Sequence, residues 1–199
     1  MTNASTGLLL VDLQNDFIHP KGAYARGGQV NANISALPAR LNPLAATFRA
    51  KGVLVIATLF TLMPGRGAEP FISADLKASR PFLRKGDFFP GGWGQQLVDE
   101  LAPADCAVEK IAYSAFYMTR LEWVLRKCGI ERLYVAGIVT NGGVASTVRD
   151  AHVREFECVV LADGCAAFSP QAHDAAIEGL RPVAKIATVA QAMQDIGVS

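Results

Sequence analysis

The chain has 199 residues, 51% of them hydrophobic and 19% charged, enough to bury one substantial core and to form a single domain over residues 1–199. A formal net charge of +1 and the lack of any Lys/Arg-rich run exclude the electrostatic footprint of a nucleic-acid or anionic-membrane binder, so a small molecule is the expected partner. Apolar runs such as "LLLV" (Leu8 to Val11) and "VLVIATLF" (Val53 to Phe60) fall far short of the roughly 20 residues that span a bilayer, and "MTNASTG" at the start has neither the basic nor the apolar region of a secretion signal, so the expected location is cytoplasmic.

In chain order, six short runs dense in aliphatic and β-branched residues read as strands: "GLLLVD" (Gly7 to Asp12), "VLVIATL" (Val53 to Leu59), "AVEKI" (Ala107 to Ile111), "RLYVAGIV" (Arg132 to Val139), "ECVVLAD" (Glu157 to Asp163) and "AKIATV" (Ala184 to Val189). They are near-continuously apolar, the pattern of strands covered on both faces. Helical spacing separates them. Asn33 to Lys51 sets Ile34, Leu37, Leu41, Leu44 and Phe48 three and four apart and stops at Gly52; Phe116 to Lys127, Val144 to Glu155 and Ala172 to Leu180 read likewise. The alternation predicts an α/β fold with three α/β/α layers around a six-stranded, mostly parallel, Rossmann-like sheet.

Two stretches break the rhythm, Asn15 to Asn31 and Thr61 to Gly94, long and rich in Gly and Pro. Both start at predicted strand ends and carry aromatics such as Phe17, Phe88, Phe89 and Trp93, so they read as loops that cover a site or meet another subunit, in preference to disordered surface loops.

Ligands of open α/β sheets bind outside the carboxyl ends of the strands, where three polar features fall. Asp12 closes the first strand after four aliphatic residues; it reads as a general acid or base at the edge of the core, or as a helix cap. Lys110 sits in an apolar strand, either paired with Asp12 or snorkelling at the sheet edge. The turn "VTNGG" brings two glycines to the start of a helix, where backbone N–H groups suit an oxyanion or carboxylate, or simply make a turn. His19, His152 and His173 lack ligand spacing, which predicts no metal. Cys106, Cys128, Cys158 and Cys165 include no CxxC pair and read as reduced, mostly buried residues.

The segments "LLLVDLQNDF", "EKIAYSAF", "TRLEWVLRKCGIERLYVAGIVT", "STVRDA" and "VVLADGCAAFSP" together resemble the isochorismatase-like (cysteine hydrolase) family along nearly the whole chain. In the amidohydrolases of that family an Asp, a Lys and a Cys form the catalytic triad. The resemblance assigns the first two to Asp12 and Lys110. The family's "TNxCV" reads "TNGGV" here, which puts Gly143 where the nucleophile belongs and rules out covalent thiol catalysis from that position. Cys165 falls where family members with an intact triad often carry a further Cys, so it reads as a packing residue.

A Gly at this place resembles the isochorismatases, which need no nucleophile: an Asp protonates a vinyl ether and water captures the oxocarbenium ion. The resemblance then makes Asp12 a general acid with a raised pKa, Lys110 its positioning partner, and backbone N–H groups around Val139 and Gly143 the substrate contacts. It also implies a cis peptide at Ile138–Val139. Two features point the other way: "TLFTLMPG" offers Phe60 where isochorismatases resemble "TAQPG" with a substrate-reaching Gln, and "VDLQNDF" is closer to the amidohydrolase branch.

The nicotinamidase metal pattern is absent, so the resemblance implies no metal and no cofactor, and the length leaves no room for an aryl-carrier domain. Phe17, Phe60, Tyr113, Phe116 and Asn141 are the candidate pocket residues, the four aromatics reading equally well as core, and a homodimer or homotetramer is the expected assembly. The leading expectation is vinyl ether hydrolysis of the isochorismate type. The alternatives are an amidohydrolase scaffold of the nicotinamidase or ureidoacrylate kind whose Cys is missing at Gly143, and a non-catalytic binding homologue.

Overall fold

Leucines follow one another in β1 (Thr6–Val11) because both faces of that strand are covered: Leu8 and Leu10 enter one apolar layer, Leu9 and Val11 the other. In the computed structural model, which describes residues 5–198, the chain continues through α1 (Asn15–Ile18), α2 (Ala23–Arg26), α3 (Ala32–Ser35), α4 (Leu37–Ala50), β2 (Leu54–Phe60), α5 (Ala74–Ser79), β3 (Cys106–Lys110) and α6 (Leu121–Lys127). It ends with β4 (Arg132–Ile138), α7 (Ala145–Val153), β5 (Glu157–Ala166), α8 (Pro170–Leu180), β6 (Lys185–Ala187) and α9 (Val189–Val198). The first four residues of the "MTNASTG" reading lie outside the described residues.

The strands form one sheet in the order β3-β2-β1-β4-β5-β6, parallel at every pairing. Helices α4 and α9 cover one face with Leu37, Leu41, Phe48, Ala192 and Ile196; α6, α7 and α8 cover the other with Leu121, Leu125, Val148, Ile177 and Leu180. The strand order reverses between β1 and β4, and in doubly wound sheets that crevice is where ligands bind.

Four expectations change. The helix predicted over residues 33–51 is two: Asn31 caps α3 by accepting from the N–H groups of Asn33 and Ile34, and α4 restarts with Pro38 in its first turn, where the missing N–H costs nothing. The helix predicted from Phe116 begins at Leu121, whose N–H is capped by Thr119 Oγ1 at 3.1 Å. The third strand is not continuously apolar: β3 is an edge strand that exposes Ala107 and Glu109 and buries Val108 and Lys110. Helix α9 was not anticipated; its apolar side seals the sheet behind α4.

Both long stretches contain short helices and carry a third apolar cluster, in which Tyr24, Leu62, Leu83 and Phe88 are buried and Phe17, Phe60 and Phe168 pack around them. This cluster caps the carboxyl ends of β1 and β2. Asp16 ties it together: its buried carboxylate accepts from the N–H groups of Ala23 at 3.0 Å and Phe88 at 2.6 Å, and burial raises its pKa against those bonds.

Candidate active site

Asp12 follows the last residue of β1, and its position is fixed through both backbone and side chain. Its N–H donates to the Thr58 carbonyl of β2 at 3.1 Å, and the Thr58 hydroxyl donates to Oδ1 at 3.0 Å. The backbone turns at once, with φ of 58°, a left-handed conformation that Asp tolerates better than most residues and that often marks functional positions. This turn aims the carboxylate across the strand ends.

Lys110 ends β3, paired in register with Phe60 of β2. Its ammonium has three hydrogens and three partners: Asp12 Oδ2 at 2.7 Å and the carbonyls of Ala112 at 3.0 Å and Tyr113 at 3.1 Å. It also lies 5.7 Å from the centre of the Phe60 ring. The Lys110 and Asp12 side chains are 1% and 6% exposed, so this is a buried, fully satisfied ion pair and not a snorkelling lysine. Burial raises the Asp12 pKa; Lys110, the Thr58 hydroxyl and the Phe60 backbone pull it back without cancelling the rise.

The third feature comes from β4. Gly137 approaches β1 so closely that a Cβ would fall 2.1 Å from the Val11 carbonyl oxygen, at a φ of +129°, so only glycine fits. The Ile138–Val139 peptide is cis, as the family resemblance implies. Residues Thr140–Val144 then form one wide turn, in which the N–H groups of Gly142 and Val144 both donate to the Val139 carbonyl. Such widened turns recur at functional sites. A Cβ added at Gly143 would lie 3.2 Å from Asp12 Oδ2 and 3.0 Å from the Ile138 carbonyl. The φ of Gly143 lies outside the left-handed region, so the backbone does not demand glycine there.

Asp12, Lys110, Gly143 and Val139 border one cavity of about 380 Å³. Of the expected wall residues, Phe17, Phe60 and Tyr113 line it, whereas Asn141 lines a neighbouring cavity, also of about 380 Å³. Phe116 lines neither. It is buried on the α6 side of the sheet, 5.8 Å from the Phe156 ring and under the Arg154 guanidinium, because the chain turns away before α6 begins. The sequence reading missed other wall residues, among them Tyr24 and Arg80 from the two long stretches and Phe168 just beyond β5. Phe168 follows a strand end, a place the strand-end rule would have pointed to.

Cys165 is buried in the sheet with its thiol toward the Val135 carbonyl, and burial pushes its pKa up to about 12. It is a packing residue. His173 Nδ1 pairs with Thr140 Oγ1 at 2.8 Å and braces the wide turn. Among the described residues no three His, Cys, Asp or Glu side chains are grouped to hold a metal ion, and no helix is long and apolar enough to cross a membrane.

Residues 6–191 match the isochorismatase domain. The ureidoacrylate amidohydrolase RutB of Pseudomonas syringae pv. syringae is 35% identical over 182 residues, which span 86% of this chain and 74% of that protein. The cysteine hydrolase from Pseudomonas syringae pv. phaseolicola shares the fold at a TM-score of 0.85 and 22% identity, over 100% of this chain and 95% of that one. N-carbamoylsarcosine amidase from Thermoplasma acidophilum superposes at a TM-score of 0.71 and 25% identity, over 95% and 97%. A match of this extent on this topology places the chain in the isochorismatase family of hydrolases.

Proposed function

We propose that the protein hydrolyses a carbon–nitrogen bond of a small acyclic amide or ureide, in an amidohydrolase site where a water molecule takes the place of the thiol. The observation that carries this reading is the place of position 143: a Cβ built there would lie 3.2 Å from Asp12 Oδ2, so a side chain at 143 would stand directly beside the carboxylate, as a nucleophile stands beside its base. Glycine leaves that space to water.

In the reaction Asp12 takes a proton from this water as its oxygen bonds to the substrate carbonyl carbon. Lys110 balances the charge of the pair. The carbon–nitrogen bond then breaks, and the departing nitrogen leaves with the proton that Asp12 returns. The names of two relatives, a ureidoacrylate amidohydrolase and an N-carbamoylsarcosine amidase, support a nitrogen leaving group.

The general-acid reading, isochorismate-type vinyl ether cleavage, fits the site less well. Both Asp12 oxygens already accept, Oδ2 from an ammonium and Oδ1 from a hydroxyl, which suits a carboxylate acting as base. A pKa raised by burial makes that base stronger. The test is ammonia release from a panel of small amides and ureides, run beside Asp12→Asn and beside isochorismate. Ammonia that depends on Asp12 is the expected result; pyruvate from isochorismate without ammonia from any amide would overturn the reading.

A further inference from the structure

We propose that Arg80 reads a carboxylate on the substrate, so that the site takes anionic amides or ureides in preference to neutral ones. This rests on the carbon–nitrogen reading above and adds to it the charge of the substrate.

The cavity wall carries four charged residues: Asp12, Lys110, Asp75 and Arg80. The first two neutralise each other at 2.7 Å. Asp75 is on the exposed rim, and among the described residues neither it nor any other carboxylate forms an ion pair with Arg80. Arg80 is therefore a half-buried cation left without a counter-charge, facing the space where substrate binds. A guanidinium taken part-way out of water normally finds a carboxylate or phosphate.

Arg80 is also held in place. Its Nε donates to the Tyr24 hydroxyl at 3.2 Å and its Nη1 to the Ser79 carbonyl at 2.8 Å. Its guanidinium carbon lies 5.9 Å from the Tyr24 ring and 6.0 Å from the Phe168 ring, and those two rings stack on each other, 10° from parallel. Nη2 has no protein acceptor among the described residues. A guanidinium anchored on one side by hydrogen bonds and aromatic faces, with donors left over, is preorganised for carboxylate recognition.

Its place in the cavity sets the shape of the ligand. Arg80, Tyr113, Val139 and Phe168 border both cavities, whereas the Asp12–Lys110 pair borders only the first. A substrate with its carbonyl beside Gly143 and its carboxylate on Arg80 spans from the first cavity to the opening of the second. The surrounding stretch, residues 61–94, carries five Lys/Arg against three Asp/Glu, which favours an anion at this wall.

The test is calorimetric titration of the protein with 3-ureidopropionate and with its methyl ester, alongside Arg80→Gln and Arg80→Lys. The expected result is binding of the acid about tenfold or more tighter than the ester, as a charge-assisted hydrogen bond supplies. Arg80→Gln is expected to bring the two within about twofold by weakening the acid alone, and Arg80→Lys to keep part of the preference. A merely structural role would weaken both ligands alike. Equal affinity in the unaltered protein, binding of neither ligand, or an undiminished preference in Arg80→Gln would overturn the proposal.

Ammonia release by Gly143→Cys separates this proposal from the reading beneath it. Release from the ester as fast as from the acid would sink the carboxylate site and leave carbon–nitrogen hydrolysis standing. No release from either, with the Arg80-dependent preference intact, would do the reverse.

Discussion

Asp12 Oδ2 and Lys110 Nζ meet at 2.7 Å, from the ends of two strands separated by β2, with both side chains almost sealed from water. Neither charge is tenable alone in that position. Lys110→Met leaves the Asp12 carboxylate buried without its cation and is expected to cost about 3–5 kcal/mol at neutral pH, measured by urea unfolding. The pH dependence has a definite sign. The folded-state pKa of Asp12 is raised above its ordinary 3.8, so its contribution to stability is fully present below 3.8 and is lost as pH rises through the raised value. Removing Lys110 raises that pKa further, so the cost of Lys110→Met shrinks as the solution is acidified. A cost independent of pH would contradict the buried-pair assignment.

The buried thiols offer no substitute nucleophile. Burial lifts Cys158 and Cys165 to about 12, which leaves about one thiolate in ten thousand at a pH of about 8. Iodoacetamide is expected to spare both in the folded protein while modifying the exposed Cys128, as read by mass spectrometry of peptides. Rapid alkylation of Cys165 would reopen it as a catalytic group.

Gly137 of β4 pairs with Val11 of β1 and packs tightly against it beneath the site. A methyl group there would strike the Val11 carbonyl carbon, nitrogen and oxygen, the last at 2.1 Å, on a backbone at φ +129°. Gly137→Ala is expected to destabilise by about 3 kcal/mol or more and to abolish activity with it. A melting temperature equal to that of the unaltered protein would show that the strands can part without cost.

The strands were legible because parallel, doubly covered strands are apolar end to end, and β1, β2 and β4 obey that rule. Lys110 was legible as a charge in a stretch that otherwise read as an apolar strand, and Asp12 as the first polar residue after such a strand. The edge strand β3 escaped the rule because one of its faces is open to solvent. Phe116 was misplaced as a wall residue because sequence order put it beside Tyr113, yet its ring packs on the far side of the sheet. Arg80 and Tyr24 stayed hidden for a different reason. They come from irregular segments that contact each other across 56 residues, and no periodicity marks which residue of a long loop turns inward.

Thiol chemistry at position 143 tests the central claim most directly. Gly143→Cys places a sulfur beside Asp12 and Lys110, with the Ile138 carbonyl at 3.0 Å and Asp12 Oδ2 at 3.2 Å from the new Cβ as the tight contacts to be relieved. The measurement is intact-protein mass spectrometry during turnover of 3-ureidopropionate, with ammonia followed in the same samples. The expected result is a covalent acyl adduct on the introduced sulfur, a species that the unaltered protein never shows. Ammonia release is expected to be at least about a hundredfold faster, of the order that nucleophilic and general-base assistance supply. A folded Gly143→Cys protein whose new thiol neither forms an adduct nor reacts with iodoacetamide would contradict the claim that this is an amidohydrolase site lacking its nucleophile.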